Sequence, residues 1–141
     1  MSVSQANGHL SKRTERRSVP GRSRARRAVN FVEKTWGSEE WLVNNDLYCG
    51  KIMRFDKGKN CSLHYHVLKT ESFYLRSGRL KMRIMDSPDS TIIEEFILEA
   101  GECMDIAPGL VHQMVALEDS ELFEFSTQHF DSDSYRLTRD V

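Results

Sequence analysis

From about Asn30 onward, short runs of β-branched and aromatic residues alternate with clusters of turn formers. This rhythm constrains the fold more than any other feature of the chain. Trp41–Val43, Tyr48–Phe55, Ser62–Leu68, Ser72–Arg76, Leu80–Met85, Thr91–Leu98, Met104–Ala107, Val111–Leu117 and Glu121–Thr127 read as strands. Turn residues separate them, among them Asn44-Asn45-Asp46, Lys57-Gly58, Ser77-Gly78, Ala100-Gly101 and Pro108-Gly109. About nine short strands with tight turns predict an all-β sandwich or barrel, not alternating strands and helices. The stretch Thr91–Ala100 is ambiguous, because Ile92, Ile93, Phe96 and Ile97 also suit a helix face; its length and its neighbours favour a strand. Gly58, Gly78 and Gly101 fall at strand junctions, where a positive φ is often needed, and Pro108 fixes a rigid turn.

Residues 1–28 have a different texture. Arg and Ser dominate, with some Gly and Asn, and apolar residues are scattered, so the segment cannot bury enough surface to offset the entropy of ordering. It reads as a disordered basic tail ahead of one β domain spanning 29–141. Charge divides the same way. Residues 1–30 carry eight Lys/Arg and only Glu15, a balance of +7, whereas the remainder sums to -8; the formal net charge of -1 is a cancellation. The tail is compatible with an organellar import leader, a nonspecific anion-binding arm or an extension without a role. The acidic remainder argues against a nucleic-acid partner, since phosphate contact needs positive potential. No apolar run is long enough to span a membrane, and no apolar segment marks a secretory leader. A cytoplasmic location is therefore expected, with organellar import through the Arg-rich leader as the other option. Cys49, Cys61 and Cys103 are odd in number and widely spaced, and read as free thiols.

The densest chemistry lies between Gly58 and Gly78. His64 and His66 are two residues apart, so on a strand both side chains face the same side. Glu71 follows five residues later, far enough to turn and approach from the next strand. His112 stands just after the Pro108-Gly109 turn. Three imidazoles and one carboxylate suit a divalent transition metal such as Fe, Mn, Ni, Zn or Cu. On an octahedral ion, four protein ligands would leave two positions for water or a bidentate substrate.

Gly58–Gly78 matches the first cupin motif, G-x5-H-x-H-x4-E-x6-G, at every fixed position. Gly101–His112 resembles the second motif, with two departures. Pro108 sits one place nearer Gly109 than the pattern has it, and Ala116 stands where the pattern has Asn. The resemblance covers about Phe31–Leu137. It implies a small antiparallel, jelly-roll-like β-barrel with the metal inside, and it carries the ligand positions onto His64, His66, Glu71 and His112. The opening segment Lys34-Thr-Trp36-Gly37-Ser-Glu39-Glu-Trp41 and the closing segment Glu124–Leu137 resemble those of mannose-6-phosphate isomerase-like cupins.

That grouping implies sugar chemistry: a sugar or sugar-phosphate isomerase or epimerase working through a metal-chelated enediolate, with a small-molecule substrate and a homodimeric state. An Fe(II)-dependent dioxygenase and a non-catalytic metal- or sugar-binding module are the alternatives the same ligands allow. Isomerisation needs a proton shuttle. Glu124 is the first candidate, provided that the face of its strand carrying Leu122 and Ser126 points inward; otherwise it is a solvated surface acid. Tyr65, between two ligands, should point away from the metal, and Lys81 is a solvated lysine or at best an anchor. For a phosphate, Lys34, Arg54, Arg83 and Arg136 are the candidate anchors, each also readable as a surface charge. His129 is placed near the barrel mouth in a structural or exposed role, and Trp36 and Trp41 in the core or at an interface between copies.

Overall fold

The computed structural model describes residues 26–138. The tail expected over 1–28 lies outside them except for Arg26–Ala28, which are exposed and in no strand. The strands are β1 (Asn30–Lys34), β2 (Gly37–Asn44), β3 (Cys49–Phe55), β4 (His64–Tyr65), β5 (Glu71–Ser77), β6 (Arg79–Met85), β7 (Glu94–Glu99), β8 (Cys103–Ile106), β9 (Val111–Ala116), β10 (Ser120–Ser126) and β11 (Tyr135–Arg136). One short 3-10 turn, Asp131–Asp133, precedes β11. Among the described residues no helix is long and apolar enough to cross a membrane.

All pairings are antiparallel and form two sheets. The six-stranded sheet runs β1-β2-β3-β10-β5-β8 and the five-stranded sheet β11-β4-β9-β6-β7. The chain crosses between sheets at tight turns such as Ser77-Gly78-Arg79, and this produces the jelly-roll sandwich. This is the jelly-roll-like all-β fold expected, built as a sandwich: among the described residues no ladder joins the two sheets, and inward side chains close the structure.

Alternation along each strand decides what faces in. On β5, Glu71, Phe73 and Leu75 are buried, with Ser72 and Tyr74 only partly so. On β6, Leu80, Met82 and Ile84 are buried between half-buried Lys81 and Arg83. A slip of one residue would turn the apolar set outward, so register is strongly specified. Phe55, Phe73, Leu75, Leu80, Met82, Met114 and Leu122 meet in one cluster. Full burial of each such side chain contributes about 1.5–3 kcal/mol.

The opening segment forms a β1–β2 hairpin, with Asn30 opposite Trp41 and Lys34 opposite Gly37. Trp36, at its turn, stacks on Phe55 with ring centroids 4.3 Å apart. Gly37 has φ +149°, and a Cβ there would strike the Arg54 carbonyl of the neighbouring strand, so only glycine fits. Gly78, with φ +89°, is equally constrained, because a Cβ would run into Asp119 and Ser120.

Candidate metal centre

His64 on β4 lies directly opposite His112 on β9, and His66 follows two residues after His64. The three imidazoles come together such that one ring nitrogen from each lies within 4.8 Å of the others. Local hydrogen bonds orient every ring. Nδ1 of His64 donates to the Ser62 carbonyl at 2.8 Å, Nδ1 of His66 to the Asp133 carbonyl at 2.9 Å, and Nδ1 of His112 to the Leu110 carbonyl at 3.0 Å. A carbonyl can only accept, so each Nδ1 carries the proton, and in the neutral ring Nε2 offers its lone pair to the interior. Burial first, then the neighbouring His112, lowers the His64 pKa well below the ordinary value. Burial and Lys69 bring His66 down to about 4. Both rings are neutral at physiological pH, the form in which imidazole binds a metal.

Glu71 opens β5 and turns its carboxylate toward the same point. Its Oε2 lies 3.4 Å from His66 Nε2 and 3.3 Å from His112 Nε2. Glu71 Oε2 and His112 Nε2 are both buried without a hydrogen-bond partner. Burial, followed by the charge of Glu124, pushes the Glu71 carboxyl above its usual range. Polar atoms thus converge in a buried space where two of them find no hydrogen-bond partner, a costly arrangement unless a cation lies among them. The donor set, three imidazole nitrogens and a carboxylate oxygen, fits a divalent transition metal ion.

The closing segment supports this centre. The Asp133 carboxylate accepts backbone N–H bonds from Val67 (2.9 Å), Leu68 (3.0 Å) and Lys69 (3.1 Å), while its own carbonyl takes the His66 proton. Burial alone would raise the Asp133 pKa; the backbone donors outweigh it and hold it down. One residue therefore fixes the loop after His66 and orients His66 itself.

Beside the histidines, the same inner face becomes a charged cavity wall. The strand register aligns Trp41 with Lys51, Lys51 with Glu124, and Glu124 with Phe73 across β2, β3, β10 and β5. Glu124 does face inward, on the face shared with Leu122. Lys69 and Lys51 are each only 3% exposed. Lys69 Nζ donates to Glu124 Oε2 at 3.1 Å and to His129 Nδ1 at 2.9 Å, and lies 3.6 Å from Glu71 Oε1. Burial would raise the Glu124 pKa, but Lys69 and Lys51, with the Ser126 hydroxyl, hold it at about 2. Burial would lower Lys69, yet Glu124 and Glu71 raise it. His129, lowered by burial and the two lysines, uses its Nε2–H on Asp131 at 3.0 Å.

These groups and the histidines line one cavity of about 280 Å³. Of the anchors expected from sequence, Lys34 and Arg136 line it, and Arg136 donates to Ser62 Oγ at 2.8 Å. Arg54 does not: it pairs with Glu40 and Glu121 on the outer face. Arg83 also points outward, to Glu95 and Gln113. Tyr65 turns away from the histidines and stacks on Tyr135, as expected. Lys81 lies on the outer side of β6. Both tryptophans line the cavity, and Trp36 also belongs to the core cluster. Lys51, Lys69 and Glu39 were missed. Lys51 had a signal, since it shares strand parity with Cys49, Met53 and Phe55; Lys69 sits in a loop and had none. Cys49 and Cys61 are buried and Cys103 is exposed.

Comparisons with known proteins agree with this architecture. A family model described as Cupin matches residues 34–139. Solved structures with the same fold include the capsular polysaccharide assembling protein CapF from Staphylococcus aureus (20% identity, TM-score 0.70), covering 84% of this chain and 34% of that one. A variant of oxalate decarboxylase from Bacillus subtilis aligns at 18% identity and TM-score 0.67, covering 77% and 30% respectively. KdgF from Halomonas sp. aligns at 17% identity and TM-score 0.62, covering 73% and 89%. The chain thus spans about a third of the CapF and oxalate decarboxylase chains. No curated protein matches it by sequence.

Proposed function

The chain belongs to the cupin family, and from that premise we propose that it is a metal-dependent enzyme that moves a proton between adjacent carbons of a sugar or sugar phosphate. The observation that carries this reading is the juxtaposition, in one cavity, of the convergent His64, His66 and His112 nitrogens, the Glu71 carboxylate beside two of them, and an inward-facing carboxylate, Glu124. His64, His66, Glu71 and His112 would hold a divalent ion. When bound, that ion would supply Lewis-acid stabilisation of charge developing on vicinal substrate oxygens.

The remaining work falls to the protein's own groups. Glu124 Oε2 is engaged by Lys69 and Ser126, so Oε1 is the oxygen left to accept a substrate proton and return it to the neighbouring carbon. Lys69 keeps that carboxylate charged. A substrate oxygen that draws Lys69 toward itself raises the basicity of Glu124 when the proton must move. The walls around Phe73 and Met114 limit access of bulk water to the reacting carbons.

The test is turnover. Full-length protein loaded in turn with Mn, Fe, Ni and Zn, incubated with matched aldose and ketose phosphates, should interconvert them. Activity should vanish with EDTA and in Glu124→Gln. Absence of turnover in every metal form overturns the reading. A second reading is favoured by one specific observation: a carboxylate held at about 2 is a weak base. A module that binds sugars without transforming them would show ligand uptake and no turnover in the same experiment.

A further inference from the structure

Lys51 is the one cavity cation whose ammonium group lacks a hydrogen bond to protein among the described residues while being almost fully buried. Lys69 is occupied by Glu124 and His129, and Arg136 by Ser62. Lys51 Nζ instead lies 3.6 Å from Glu39 Oε1 and 4.2 Å from the centroid of the Trp41 ring. That Glu39 oxygen already accepts the Trp41 indole N–H at 2.8 Å. The lysine is thus held by a cation–π contact and a long ion pair, and its three N–H donors remain unspent. Lys51 lines the cavity, where an arriving acceptor can take those donors.

The charge balance of the cavity identifies that acceptor. Four basic side chains (Lys34, Lys51, Lys69, Arg136) and four acidic ones (Glu39, Glu71, Glu124, Asp131) line it. Their formal charges cancel, so a divalent ion among the histidines would leave the cavity positive. An anion is then the complementary ligand, and it would find free donors at Lys51.

We propose that Lys51, supported by Trp41 and Glu39, is the anchor for an acidic group of the substrate, a carboxylate or a phosphate, on the cavity wall beside the histidines. The inference deepens the sugar reading above and rests on it for the choice of probes. It makes the substrate an acidic sugar derivative and makes Lys51 a specificity-determining residue. Trp41 and Glu39 act through Lys51 as positioning residues: the ring and the carboxylate keep the ammonium group from folding back onto Glu124.

Calorimetric titration tests this on the full chain, with EDTA-treated and Zn-loaded protein side by side. Glucose 6-phosphate, glucuronate and glucose are the probes, with tryptophan fluorescence as a local readout, since one of the two tryptophans touches Lys51. Both acids, or one of them, should bind more tightly than glucose and perturb the fluorescence. Which acid binds identifies the phosphate or the carboxylate as the natural group. Lys51→Gln should weaken the acidic probe by about tenfold or more and leave glucose within about twofold. Lys51→Arg should restore most of the loss, which separates anchoring from a folding defect. Equal affinity of wild type and Lys51→Gln for the acids, parallel loss of glucose, or no acid binding by wild type at millimolar concentration overturns the anchor. Acid discrimination that survives without any zinc uptake refutes the metal reading and leaves the anchor standing.

Discussion

The two ends of one inner face have opposite chemistry. Along β5 the inward series runs Glu71, Phe73, Leu75; along β9 it runs His112, Met114, Ala116; along β10 Glu124 gives way to Leu122, and along β3 Lys51 gives way to Met53 and Phe55. The same pleat therefore delivers a close-packed apolar core at one end and a charged cavity at the other. The apolar end stabilises the sandwich through burial. The polar end bears desolvation costs, offset by the Lys69–Glu124 pair, the Asp133 clamp and the carbonyls that take the histidine protons. The contrast teaches that site and core share strands: strands packed through Leu75, Met114 and Leu122 also carry Glu71, His112 and Glu124.

Three substitutions should sharpen that contrast. Leu122→Ala removes a fully buried side chain at the apolar end and should cost about 2–5 kcal/mol, read by denaturant unfolding. Metal content at low temperature should be unchanged; loss of metal together with stability would show that the two ends are not separable.

Glu124→Gln leaves Lys69 with only Glu71 and His129, and should cost about 3 kcal/mol at neutral pH. Because the Glu124 pKa is depressed from 4.5 to about 2 in the folded chain, the stabilisation by its charge is complete above the unfolded value. It is lost as pH falls from about 4.5 toward 2. The gap between wild type and variant should close over that window; a constant gap would mean that the charge is not what stabilises the pair.

Asp133→Ala should cost about 1–3 kcal/mol, since three backbone N–H groups lose their acceptor. This is the smallest of the three stability effects, but it alone should also weaken metal binding, through the loop that follows His66. Isothermal titration with Zn checks it, and wild-type affinity would exclude the supporting role.

Much of the core was legible in the sequence because β5 and β6 alternate, as in Leu80-Lys81-Met82-Arg83-Ile84. The faces of β10 could not be read that way. Phe123 and Phe125 are as apolar as Leu122, and only pairing with β3 and β5 turns Glu124 inward. β1 escaped notice because Asn30–Lys34 is short and mixed, and it is defined by its partner β2. Ser62–Leu68 reads as a full strand yet only His64 and Tyr65 pair, because Ser62, Leu68 and Lys69 are committed to the site instead. The candidate quartet of His64, His66, Glu71 and His112 was visible through its spacing. The wall that includes Lys51 and Lys69 was not, since it is assembled from β2, β3, β10 and a loop that are far apart in sequence.

The central claim is that the polar end of this inner face is a metal site built by His64, His66, Glu71 and His112. Elemental analysis of purified wild type and of His64→Ala and His112→Ala, with folding checked by circular dichroism, tests it most directly. The account predicts one divalent transition metal ion per wild-type chain and its loss in both folded variants. Unchanged stoichiometry in both variants, or a wild type that takes up no transition metal, would contradict it.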